Sequence, residues 1–181
     1  MQLETERLVL RPFRADDAAD VFAYLSAPTV HCFMDMTLGS IEEAKREIEK
    51  RHREETGEYF AICLKETDKV IGEIFAHPEG AGDTFSPCWM LNTEYQGKGY
   101  AYEAAYAFFD YLFREKEARR LYAYTEDDNL SSQRLCERLG MRKEGLFLEF
   151  ISFVNNPDGT PRYENTFQYA ILKREWAGKK P

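Results

Sequence analysis

Between residues 58 and 113 the chain commits itself to one kind of sheet. Three short apolar runs, "EYFAICLK" (58–65), "KVIGEIFAH" (69–77) and "TFSPCWML" (84–91), follow one another with only "ETD" and the glycine-rich "EGAGD" between them. Links this short predict an antiparallel meander, because a parallel neighbour needs a crossover of a dozen residues or more. The next stretch, "EYQGKGYAYEAAYAFFDYLF" (94–113), turns at Gly97 and Gly99 and then becomes helical: Ala101, Ala104, Ala105, Phe108, Phe109 and Leu112 recur on one face. "RRLYAYT" (119–125) alternates as a strand, so the strand–helix–strand unit around residue 100 implies a parallel pair. A meander joined to a single crossover excludes a doubly wound sheet.

The flanks complete the pattern. "RLVLRPF" (7–13) reads as a first strand ended by Pro12, and "DDAADVFAYL" (16–25) places Ala18, Val21, Phe22 and Leu25 on one helical face. In "SIEEAKREIEK", Ser40 and Glu43 stand at capping-box spacing and open a second helix. "NLSSQRLCERLG" (129–140) is a short helix with Asn129 as N-cap, Leu135 and Leu139 inward and Gly140 as its stop. Two strands close the chain, "GLFLEFISFV" (145–154) and "NTFQYAIL" (165–172), joined by "NNPDGTPRYE" with its Asp158-Gly159 turn. The order is β-α-α-β-β-β-α-β-α-β-β. It predicts an α/β (mixed α+β) fold, a mixed central sheet with helices on both faces. No linker or repeat divides residues 1–181, which are expected to form one domain.

A net charge of -8 argues against a nucleic-acid partner and fits cationic substrates. Cys32, Cys63, Cys88 and Cys136 form no CxxC pair and read as free thiols of a reducing compartment. "MQLETERL" carries acids where a secretory leader would be basic and then apolar, and runs such as "FAICL" are too short to cross a bilayer. A cytoplasmic protein without membrane partners is expected. His31, His52 and His77 share no ligand spacing, so no metal is expected, and Trp89 and Trp176 read as packing residues.

Glycines just before a helix serve a purpose when something must approach the backbone. The first N–H groups of a helix lack internal partners and point outward at the positive end of its dipole. Gly97 and Gly99 leave that end bare and Lys98 adds a charge, which suits a phosphate or pyrophosphate. The turn is not a P-loop, since Gly99-Tyr100 follows Lys98, and it is not a dinucleotide fingerprint, since Tyr102 stands at the third glycine position. A glycine turn that holds nothing is the competing reading to a phosphate site.

Gln96-Gly97-Lys98-Gly99-Tyr100-Ala101 resembles the Q/R-x-x-G-x-G/A motif of the GCN5-related N-acetyltransferases (GNAT), and the element order resembles that family from end to end. "ETERLVLRPF", "WMLNTEYQGKGYAYEA", "NLSSQRLCERLGM" and "QYAILKREW" are most similar to its ribosomal-protein-alanine (RimJ/RimL-like) branch. The resemblance implies that Gln96, Gly97, Lys98, Gly99, Tyr100 and Ala101 bind the pyrophosphate of acetyl-CoA. It implies that "TFSPCWML" and "RRLYAYT" splay apart, with the pantetheine arm pairing against Met90, Leu91 and Asn92 like an added strand. Asn129 would touch that arm, and Ser132 would serve the thiol as general acid or sulfur-orienting donor unless a nearby tyrosine replaces it. Helix-start capping is the competing reading for Ser132.

Direct acetyl transfer needs a neutral amine, a donor for the developing oxyanion and a proton for the departing thiolate. A backbone N–H near Met90–Leu91 is expected to meet the oxyanion. Glu149, on the strand "GLFLEFISFV", is the candidate base, while Glu103 belongs to the first helical turn. A lysine side chain titrates about 2.5 units above an α-amine, so its neutral form costs ~3.4 kcal/mol more. A site without a committed base therefore favours an α-amine, or an amine whose pKa is already lowered, which supports a protein N-terminus as the acceptor. A small amine (aminoglycoside, polyamine or amino acid), a silent acyl-CoA-binding sensor and a purely structural domain stay open as alternatives. Exposed sheet ends make a homodimer an expectation.

Overall fold

The computed structural model describes residues 1–53 and 57–176. Eight strands form one sheet: β1 (Leu3–Glu4), β2 (Leu8–Arg11), β3 (Glu58–Leu64), β4 (Val70–Glu79), β5 (Thr84–Leu91), β6 (Arg120–Glu126), β7 (Arg142–Asn155) and β8 (Pro161–Leu172). Their spatial order is β1-β2-β3-β4-β5-β6-β8-β7, antiparallel throughout except for β5 against β6. The helices are α1 (Ala18–Leu25), α2 (Ile41–Arg53), α3 (Tyr100–Arg114), α4 (Leu130–Arg138) and a short α5 (Lys173–Trp176).

Alternation along the strands makes two cores. Phe60 and Ile62 of β3 pack with α3 and α4, among Ala104, Ala105, Phe108, Phe109, Leu112 and Leu135. Ala61 and Cys63 of the same strand face α1 and α2, among Val21, Leu25, Ala44 and Ile48. Trp176 is buried against Phe109 and Phe113, as a packing residue should be. The two faces are those expected from the sequence.

Local chemistry explains the element ends. Ser40 Oγ accepts the Glu43 N–H at 3.2 Å, but the Glu43 carboxylate returns to Gly39 N–H rather than to Ser40, so half the capping box is displaced by one residue. Arg11 grips Asp17 with two bonds of 2.8 and 2.9 Å, tying the end of β2 to the turn that starts α1. Three features differ from expectation, the first being that β7 starts at Arg142 rather than at Gly145. The two-residue β1 carries no readable period. β8 begins at Pro161, inside the segment assigned to a loop, so the closing hairpin turns within residues 156–160 around Gly159 (φ +85°) and Glu164 lies in a strand.

Candidate active site

β5 and β6 touch only at Thr84–Arg120 and Phe85–Leu121 and then diverge. Continuing the ladder would set Pro87 opposite Ala123, and proline has no N–H to offer. Beyond it, the Met90 carbonyl points at Gly72, where a Cβ would lie 2.2 Å from that oxygen, and Asn92 N–H donates to Ile71 at 2.8 Å. Both groups therefore face β4. With a period of two, the backbone groups turned into the open seam are those of Trp89 and Leu91. Of the expected pairing residues Met90, Leu91 and Asn92, Leu91 alone offers its backbone there. Gln96 reaches back to the Leu91 carbonyl at 3.3 Å.

The seam opens onto the glycine corner. Gly97 and Gly99 hold φ of +73° and +85°, a region costly to any side chain. The N–H groups of residues 97 through 102 find no acceptor among the described residues, as the start of α3 dictates. Beyond Gly97 a Cβ would meet open space. Lys98 is exposed, its ammonium over the Tyr95 ring at 5.2 Å, and does not line the cavity. Arg134 and Arg138 of α4 do line it, one turn apart, with Arg138 stacked on Tyr102 at 4.4 Å. These two cations carried no readable signal beyond their i,i+4 spacing. The corner is braced by Glu103, which accepts from Thr5 Oγ1 (2.6 Å), Arg7 N–H (2.8 Å) and Arg7 Nε (2.7 Å). Burial raises the Glu103 pKa, but these donors outweigh it and hold the carboxyl below its ordinary range.

A cavity of about 450 Å³ runs from this corner along the seam. Gly97, Gly99, Tyr100, Ala101, Asn129 and Ser132 line it together. Asn129 caps α4, its Oδ1 accepting Ser132 N–H at 3.2 Å. The Ser132 hydroxyl takes no part in capping. It accepts the Trp89 indole N–H at 3.3 Å across the seam, which leaves its own proton free. Trp89 is therefore a cavity wall rather than packing alone. Tyr100 and Tyr102 also line the cavity, whereas Tyr106 packs on Trp176.

A family model described as "Acetyltransferase (GNAT) domain" matches residues 7–142. The chain belongs to the GNAT acetyltransferases. It is 33% identical to the uncharacterized N-acetyltransferase YnaD of Bacillus subtilis, over 97% of this chain and 99% of that one. It superposes on the crystal structure of a GNAT-family acetyltransferase from Bacillus anthracis with a TM-score of 0.84 and 30% identity, covering 97% of this chain and 100% of the other. A ribosomal protein uS5-alanine N-acetyltransferase of Escherichia coli is 26% identical over 89% of this chain and 94% of its own length. The chain is thus an acetyl-CoA-dependent acyltransferase with the GNAT fold.

In this GNAT chain a second cavity, of about 480 Å³, adjoins the first and shares Thr29, Val30, Asn129, Ser131 and Arg134 with it. Its wall is acidic: Glu126 (6% exposed) and Asp128, with His31 opposite. His31 starts a 3-10 turn (His31–Met36) between α1 and α2, and its Nδ1 lies 2.5 Å from Oε1 of Glu164 on β8. Glu149 is elsewhere. It sits exposed at φ +48° where β7 slips register between Phe147 and Ile151, its N–H donating to Asn165 Oδ1, and it lines neither cavity. The four cysteines are free. Burial first, then Glu126 and Glu73, push the Cys88 thiol up to about 11, and burial with Glu126 raises Cys32, so neither is a nucleophile near neutral pH. Among the described residues no three metal-ligating side chains gather, and no helix is long and apolar enough to cross a membrane.

Proposed function

We propose that the chain, acting as one domain over residues 1–181, transfers acetyl from acetyl-CoA to a protein N-terminal α-amine by direct attack in a ternary complex. The observation that carries this reading is the pairing of unpartnered N–H groups at residues 97–102 with a seam leading straight to the Ser132 hydroxyl. The donor set fits the cosubstrate: bare amides and a helix start for the pyrophosphate, Arg134 and Arg138 for further anionic groups, and Trp89 and Leu91 backbone edges for an amide-bearing arm.

Within that frame Leu91 N–H meets the thioester carbonyl oxygen as charge develops there. Ser132, its oxygen already accepting from Trp89, gives its proton toward the departing sulfur. Asn129 holds the start of α4 so that this hydroxyl stays in the seam. Likeness to the uS5-alanine N-acetyltransferase supports an α-amine acceptor. A cytoplasmic homodimer belongs to the same reading. β7 is an edge strand with Leu146, Phe147, Leu148 and Phe150 exposed, a surface suited to a second copy. Light scattering of the purified protein tests that part.

The acceptor is tested with two peptides of one sequence, one with a free N-terminus and no lysine, the other N-blocked and carrying lysine. Thiol release is expected with the first and not the second. Turnover confined to the lysine peptide, or to polyamines, overturns the acceptor class.

A further inference from the structure

Resting on that reading, we infer that His31 is the base that neutralises the acceptor amine, held in position by Glu164. His31 lines the second cavity with Nδ1 committed to Glu164 Oε1. A carboxylate only accepts, so Nδ1 carries the hydrogen and Nε2 keeps its lone pair. No partner for Nε2 exists among the described residues. Glu164 is 6% exposed, and its Oε2 has no hydrogen-bond partner. A buried carboxylate so poorly satisfied is costly unless a positive charge forms beside it, which protonation of His31 would supply.

The surroundings suit a cationic acceptor. Glu164 from β8 is bonded to the imidazole, Glu126 and Asp128 from the end of β6 and the following turn and Arg134 from α4 line the same cavity, and Cys32 beside Glu126 follows His31 in its turn. Glu149 stands on the adjoining β7. Glu126 and Asp128 draw the incoming ammonium toward the wall shared with the Ser132 cavity. His31 Nε2 then takes one proton from it, directly or through one water. The freed nitrogen lone pair forms the C–N bond, the C–S bond breaks, and the second nitrogen proton leaves through Ser132 to the sulfur. The imidazolium returns its proton to solvent, so the net products are amide, free thiol and one proton.

The experiment compares kcat/KM against pH for wild type, His31→Gln and Glu164→Gln on the free-N-terminus peptide, with acetyl-CoA affinity measured alongside. His31→Gln is expected to bind acetyl-CoA normally and to lose up to ~10-fold at pH 7, with the deficit closing toward about pH 9.5, where the amine neutralises itself. Glu164→Gln is expected to lose ~3-fold and to move the acid limb to lower pH, which a packing role would not do. If His31→Gln also loses acetyl-CoA affinity, the shift of that limb in Glu164→Gln decides. A loss equal at every pH, an unmoved limb or no loss overturns the inference while leaving the acceptor intact. Acetyl-CoA binding by wild type without transfer to any amine overturns both.

Discussion

The two ends of the seam are built differently. The proposed coenzyme end is made of backbone: six N–H groups, two glycines at positive φ and the inner edge of β5, all within residues 84–102. The proposed acceptor end is made of side chains delivered from far apart, His31 from a turn after α1, Glu126 from β6 and Glu164 from β8. The first end can recognise a phosphate chain common to every reaction of this class. The second can be rewritten one side chain at a time, which is why the proposal has the acceptor selected there.

Substitutions at the two ends should part company in what they change. The largest effect is expected where the ends meet. Ser132→Ala should cut kcat by ~100-fold with acetyl-CoA affinity kept, read by thiol release, and a full rate would return Ser132 to a structural role. Next, Gly99→Val forces a β-branched residue to φ +85° with Arg7 Nη2 3.3 Å from its Cβ. At about 2 kcal/mol of strain the KM for acetyl-CoA should rise ~30-fold while the acceptor KM stays put; equal effects on both would break the division.

Glu103→Gln should destabilise by about 1 kcal/mol at pH 7, measured in urea. Because the folded pKa of Glu103 lies below its unfolded one, the carboxylate's contribution is complete above the unfolded value and disappears as pH falls through the folded value. The gap between variant and wild type should therefore close in acid. The smallest effect is expected for Lys98→Ala, under ~3-fold on acetyl-CoA KM, because its ammonium rests on Tyr95 outside the cavity wall. A large effect there would mean that charge, not backbone, holds the pyrophosphate.

The same division decides what could be read from the sequence. Gly97, Gly99, the α3 face and the Asn129 cap are local signals spanning a few residues, and all stand where their spacing put them. The Trp89–Ser132 bond spans 43 positions, and the His31–Glu164 bond spans 133. The Asp158-Gly159 turn marks 155–164 as a connection, while β8 already begins at Pro161 and buries Glu164. Glu149 stands where β7 slips register, and because a slipped strand no longer alternates its faces, strand position alone does not tell what its side chain meets. His31 belongs to a turn too short to carry any period.

Pro87 leaves the sheet with two raw edges in its middle rather than at its rim. Edges of that kind invite pairing with whatever extended chain comes near. Here α1 and α3 stand over opposite faces of the sheet beside the opening, which favours a slender guest over another protein strand. An arm that occupies the gap would turn the Trp89 and Leu91 amides from solvent-exchanging to protected. Deuterium uptake at those two positions would then report saturation by coenzyme, whichever amine the enzyme serves.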